Sequence, residues 1–367
     1  MTRNILKLLI GLLIGAFFVW LSAKDWPLSE LSGDTTLSGS LLTVGPVATG
    51  WSLDLLWLLP YFGILCLIHV LRVIRWKPLL DPIVKLDFAT HNRIGAVGFM
   101  AMFLFPLRLG ELVRPHLVKH ATQHTDTPVR RSEVLATVVV ERVVDGLVVS
   151  LMLFGVLFLL PGEGPAASRL ALGAYAALAV FAGAALLLIG ARWQNALTRR
   201  FVALTAGLVS KRLAAGIDRI LGDFLRGLSS LSSAGPFVLF VALTLLYWML
   251  NGLGVWCMLQ AFAIPIDMVG AYAMMACVVV GMMIPNSPGN VGSFWYFLCL
   301  PVPLYGLSDA LPRVIAFGIA VWLMQLIQQS LFGLWFIARK QITWRGVMEA
   351  THEETALAAA ETRPVAP

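Results

Sequence analysis

Residues 285–293 read Pro285-Asn286-Ser287-Pro288-Gly289-Asn290-Val291-Gly292-Ser293. Two prolines and two glycines within eight residues stop a helix here, and Asn or Ser can cap the next one. Apolar arms of 16 residues lie on either side, 269–284 and 291–306. At 1.5 Å rise per residue each arm covers about 24 Å, short of the ~30 Å hydrocarbon core of a bilayer. Two full crossings are tight at that length, whereas a hairpin that enters and leaves on one side fits. No Lys, Arg, Asp or Glu occurs between Asp267 and Asp309. A turn exposed to cytosol would therefore lack the usual basic marker. The sequence predicts a turn buried in the membrane; the alternative is a simple loop between two short spans.

The rest of the chain has the same character. Of 367 residues, 59% are hydrophobic and 13% charged, and mean hydropathy is +0.83. Soluble domains carry about 25% charged residues. Net charge is +7, but the basic residues sit in short loops between apolar segments. That is the positive-inside pattern of a membrane protein, and it requires no nucleic-acid partner. The four cysteines lie within apolar segments and form no C-x-x-C pair, which predicts neither a disulfide framework nor a metal centre.

A spanning helix needs ~20 mostly apolar residues. Such spans are predicted at 5–23, 53–74, 132–160, 170–190, 236–262 and 314–337. Residues 27–50 read as a polar external loop. Arg72, Arg75, Lys77, Lys85 and Arg93 mark the end of the second span and a cytoplasmic loop beyond it. The apolar stretch 94–107 has only 14 residues between basic flanks, which predicts a re-entrant hairpin from the cytoplasm. Residues 192–226 hold seven Lys or Arg and two Asp, a cytoplasmic amphipathic segment suited to anionic headgroups. By parity the hairpin 269–306 enters from outside and both termini are cytoplasmic. The expectation is an all-α polytopic membrane bundle of about eight hydrophobic segments, with broken or re-entrant helices. Residues 1–341 form the membrane domain, and 342–367 a short disordered cytoplasmic tail.

Three clusters interrupt the apolar pattern. Ionisable groups at membrane depth cost at least ~2.5 kcal/mol each on insertion scales, so they face a cavity or a partner. Arg108, Glu111 and Arg114 recur every three residues on one helical face, amid Pro106, Gly110 and Pro115. Glu141, Arg142 and Asp145 lie in the middle of the 132–160 helix, where Arg142 and Asp145 can pair. The third cluster is the turn itself: Asn286, Ser287, Pro288, Gly289, Asn290 and Gly292. The competing readings are solvated loop charges for the first cluster and a structural ion pair for the second. Arg142 and Asp145 are expected to share one buried network with Arg108 or Glu111.

In order and spacing these motifs, Arg108-Leu-Gly-Glu111-x-x-Arg114, Glu141-Arg142-x-x-Asp145 and Ser287-Pro288-Gly289-Asn290-x-Gly292, resemble the lysylphosphatidylglycerol synthase transmembrane-region family of flippase-like membrane proteins. The resemblance covers about residues 5–340. The chain departs from the family pattern at Asn290, where a second Gly is typical, and at Trp295 and Tyr296, where an acidic residue is typical. The resemblance implies translocation of a phospholipid or glycolipid across the cytoplasmic membrane, without a cofactor. It implies as partners membrane lipids with anionic headgroups, and a second copy of the chain or a lipid-modifying enzyme.

The rival classes are a membrane-embedded enzyme and a scaffold of lipid or glycolipid biosynthesis. No D-D-x-x-D or Ser-Gly-His motif supports a prenyltransferase or phosphatase. His116, His120 and His124 recur at i, i+4 and i+8 without an H-E-x-x-H, and read as a polar cytoplasmic helix face. The chain is therefore expected not to be an enzyme.

Overall fold

The computed structural model describes residues 2–45, 50–123, 125, 128–162, 164–193, 222, 225–227, 234–284 and 287–349. Most of the basic segment 192–226, most of the tail 342–367, and Pro285, Asn286 and His124 lie outside the described residues. Ten α-helices are used below: α1 (Thr2–Ala23), α2 (Leu58–Leu80), α3 (Phe88–Leu104), α4 (Val113–Thr122), α5 (Arg131–Leu157), α6 (Pro165–Trp193), α7 (Ala234–Ala261), α8 (Met268–Met282), α9 (Ser293–Cys299) and α10 (Pro312–Ala338). The fold is an all-α membrane bundle. The stretches Leu55–Leu80, Pro165–Ala191, Ala234–Ala261 and Pro312–Ala338 are long and apolar enough to cross a membrane. α5, at 27 residues, is also long enough but carries three charges near its middle. Leu59, Phe62, Leu172, Leu187 and Leu331 face outward, while Arg75, Glu141 and Asp145 are buried. An apolar exterior around a charged interior is the distribution a lipid environment selects.

The predicted polar loop 27–50 is in part a small antiparallel meander of Thr35–Ser38, Leu41–Val44 and Trp51–Asp54. A two-residue turn joins its first pair, and Gly39 supplies the positive φ of +61° that such turns require. The strand signal here is short and was hidden among Gly, Ser and Thr. A second correction concerns α2. Its helix continues to Leu80, past the expected end at 74, so Arg72 and Arg75 are not loop markers but lie inside the bundle.

Two hairpins define the architecture. The first runs down α3, turns through the 3₁₀ segment Pro106–Leu112, and returns along α4. It is longer than the 94–107 expected, because the polar-looking stretch after Pro115 forms its second arm. Asp87 starts it by accepting the Thr90 N–H at 3.0 Å. Its two ends are neighbours: Thr90 and Arg93 share a crevice with Leu117, His120 and residues 341–346. The second hairpin descends through α8, turns at 285–292 and returns through α9 and Val302–Tyr305. Asp267 caps α8 through the Gly270 N–H at 2.9 Å and accepts the Tyr305 hydroxyl at 2.6 Å, which closes the base of this hairpin. α10 begins beside that base and runs into 341–346, beside the base of the first. The hairpins therefore enter from opposite ends of the bundle, and their turns touch.

Two apolar cores result. One gathers Leu65, Leu71, Val149, Leu153, Trp248 and the second hairpin; the other gathers Trp76, Leu79, Val134, Val140, Phe240 and the first hairpin. Along α2, α5 and α7 buried and half-buried polar and charged side chains fall between the two cores: Arg72 and Arg75, then Glu141, Arg142 and Asp145, and Thr244. A charged layer thus separates two oily halves at mid-depth of the bundle.

Candidate functional site

Arg75 organises that layer. It donates to Glu141 at 2.7 Å and grips both oxygens of Asp145, at 2.5 and 2.9 Å. Glu141 also accepts from Arg114 at 2.7 Å and from Arg142 at 2.8 Å. Arg142 reaches Asp145 at 3.1 Å. Trp248 donates its indole N–H to Asp145 at 3.1 Å. The one-turn spacing of Glu141 and Asp145 puts both carboxylates on the α2 face of α5, as the sequence predicted for a helix. Charge-assisted, bidentate contacts of this kind are the strong class of hydrogen bond.

The network was expected to recruit Arg108 or Glu111, but the link runs through Arg114. That side chain is fully buried and lies over the rings of Trp76 and Phe99, 4.8 and 5.0 Å from their centroids. Gly98 makes room for it, since a Cβ there would overlap the Arg114 side chain. Arg114 is therefore sealed behind the network. Arg108 and Glu111 form their own half-buried pair at 2.5 Å.

Arg108 sits at the tip of the first hairpin with φ of +62°, a left-handed conformation costing roughly 1–2 kcal/mol in a residue with a Cβ. In that conformation its guanidinium reaches the Met283 carbonyl of the second hairpin at 2.9 Å. The opposing tip is also left-handed, at Gly289 (+66°), Asn290 (+54°) and Gly292 (+82°). Trp322 of α10 donates to the Gly289 carbonyl at 2.8 Å, and the Ser287 hydroxyl to the Val291 carbonyl at 2.9 Å. α1 packs so closely on this turn that a Cβ at Gly292 would collide with the backbone of Phe18 and Val19. Neither Asn nor Ser caps the helix that follows: its N-cap is Gly292, without a side-chain bond, and the helix has only seven residues. The capping expected of Asn or Ser is thus absent at this helix, and the Ser287 side chain serves the turn itself.

Between the tips and the network lies a cavity of about 130 Å³. Arg72, Arg75, Arg108, Arg142 and Asp145 line it, with Tyr247, Asn251, Asn290, Gln325 and Gln329. Of the predicted residues, Arg108, Arg142, Asp145 and Asn290 border this space. Glu111 and Glu141 hold the arginines from behind, Arg114 joins them through Glu141, and Ser287, Pro288, Gly289 and Gly292 shape the turn. Sequence reasoning missed Arg72 and Arg75. The available signal was their i, i+3 spacing, one face of a helix that had not ended. A larger, mostly apolar crevice of about 350 Å³ on the other face of the second hairpin holds none of the charged layer.

The family model described as lysylphosphatidylglycerol synthase TM region matches residues 4–333. The chain belongs to that family. No curated protein and no solved structure matches it. In this lysylphosphatidylglycerol synthase TM-region protein, the three motifs from separate stretches of sequence meet around one cavity.

At the base of the first hairpin, His116, His120 and Glu349 bring three ligand-type atoms within 4.8 Å of one another. His116 is buried and not on a solvent-facing stripe as the sequence suggested. Glu349 is engaged by Arg345 at 2.8 Å.

Proposed function

We propose that the protein translocates a phospholipid or glycolipid with an anionic headgroup across the cytoplasmic membrane. The observation that supports this most is the arginine-lined cavity between two hairpins of opposite entry. Half-depth elements that meet at the midplane are the usual frame for a carrier site, since a small rearrangement of either one opens the site to its own side. Arg72, Arg108 and Arg142 would hold the headgroup, while Asp145 and Glu141 balance them at other times. In this reading the loops rich in Lys and Arg face the cytoplasm, as do both termini. The chain then acts as a lipid carrier and not as a catalyst.

The test is reconstitution into liposomes with tail-labelled fluorescent lipids and a membrane-impermeant quencher. Wild-type protein should speed exposure of an anionic probe more than of a phosphatidylcholine probe, and Arg108→Ala should abolish the difference. Rates equal to those of protein-free liposomes would refute translocation.

A further inference from the structure

The charges around the cavity do not balance, and the imbalance bears on the chemistry of the headgroup. Five guanidinium groups (Arg72, Arg75, Arg108, Arg114 and Arg142) face three carboxylates (Glu111, Glu141 and Asp145) among the described residues. Arginine stays protonated in proteins, so this layer carries an excess of two positive charges. Such charge inside a membrane bundle is costly unless a counter-charge joins it.

The excess is localised. Arg114 pairs with Glu141 away from the cavity, Arg75 pairs with Glu141 and Asp145 at its wall, and Arg108 and Arg142 keep carboxylate partners while opening onto it. Among the described residues Arg72 has no carboxylate within ion-pair distance: it donates to the Gln329 amide oxygen at 3.1 Å and stacks on Phe99, 3.9 Å from the ring centroid. Among the described residues the Nε hydrogens of Arg72 and Arg142 find no acceptor, as is also the case for those of Arg75 and Arg114. Arg72, Arg108 and Arg142 all open onto the same cavity. Its volume of about 130 Å³ is several times the ~10–15 Å³ that one water needs on the same measure, which leaves room for a phosphate group.

We infer that the cavity is built for a phosphate monoester carried on a lipid tail, and that Arg72 is the residue that selects it. This rests on the proposed reading of the cavity as a lipid headgroup site. A monoester carries about −1.5 to −2 charge at neutral pH and three terminal oxygens. It cancels the excess and offers an acceptor to each of the three open arginines. A diester headgroup such as that of phosphatidylglycerol brings one charge and two such oxygens, and leaves one arginine unmatched. A zwitterionic headgroup leaves the excess intact.

The experiment uses the full chain in phosphatidylcholine nanodiscs, titrated with dioctanoyl phosphatidic acid, dioctanoyl phosphatidylglycerol or inorganic phosphate, and read by thermal unfolding and direct binding. The monoester lipid should bind about tenfold more tightly than the diester, the ratio that one added charge-assisted hydrogen bond supplies. Arg72→Gln should erase that ratio and Arg72→Lys should restore part of it. Equal binding of monoester and diester by the wild type would overturn the monoester inference while leaving an anionic-lipid site standing. Binding of neither lipid would overturn both readings. Inorganic phosphate binding as tightly as the monoester lipid would show that the ligand is free phosphate, and would overturn the lipid assignment.

Discussion

Arg75 and Glu141 meet at 2.7 Å with side chains 1% and 0% exposed, although 66 residues separate them in sequence. Glu141 is the carboxylate shared by three arginines, so its loss strands more charge than any other change in the layer. Removing one partner of a buried pair costs about 3–5 kcal/mol. Glu141→Gln should therefore lower the thermal unfolding midpoint sharply, and Arg114→Gln placed on top of it should recover part of the loss. The control is Glu133→Gln, which touches an exposed pair with Arg226 and should shift stability by less than about 1 kcal/mol. Similar shifts for the two carboxylates would contradict the buried network.

Gly98 tests the same layer by volume. Alanine at this position drives a methyl group into Arg114, and overpacking costs typically 1–3 kcal/mol. Gly63 in α2 has open space where its Cβ would be. Gly63→Ala should be neutral or stabilising by up to about 1 kcal/mol, because helix interiors disfavour glycine. If both variants melt alike, the close approach of α3 to Arg114 is wrong.

The turn 287–292 separates function from insertion. Gly289→Val imposes a side chain on a left-handed backbone, a strain of ~1–2 kcal/mol, while Gly292→Ala also pushes α1 off the hairpin. Pro288→Leu loosens the turn itself. All three should reach the membrane at wild-type levels, because insertion depends on the apolar arms, and all should slow lipid movement in liposomes, Gly292→Ala most. Wild-type transport by Gly292→Ala would show that contact between α1 and the turn is dispensable.

Opposite entry of the hairpins predicts opposite labelling of their bases. Ser308 follows the second hairpin and Arg345 lies beside the first; both are exposed. Single cysteines at these positions, in a chain whose own four are replaced, should react with an impermeant reagent from opposite faces of oriented vesicles. Labelling of both from one face would dismantle the inverted arrangement and the topology built on the basic loops.

Much of this was legible in the chain. Prolines and glycines at 285–292 gave the broken element, and the i, i+3 and i+4 spacings grouped Arg108 with Glu111 and Glu141 with Asp145, because a helix fixes which side chains are neighbours. What failed was the end of α2 and the second arm of the first hairpin. Arg72 and Arg75 looked like the basic end of a span, since charge after an apolar run is ordinarily the membrane boundary. Residues 113–122 looked like a solvent-facing cytoplasmic stretch because Arg114 and His116 are polar, yet tertiary partners from α5 and the C-terminal segment make that arm an interior one. That Arg114, and not Arg108, reaches Glu141 depends on the fold of the hairpin, which local spacing does not encode.

The touching hairpin tips also have an electrical consequence. Each hairpin fills half the thickness of the bundle, so the seal between the two sides is thin and lies at Arg108 and Met283. Voltage across a membrane concentrates where the insulation is thinnest, and moving one elementary charge through 100 mV takes about 2.3 kcal/mol. Guanidinium groups anchored at that point set a positive potential where the field is steepest. The same fixed positive charges oppose the entry of protons and metal cations at the gap.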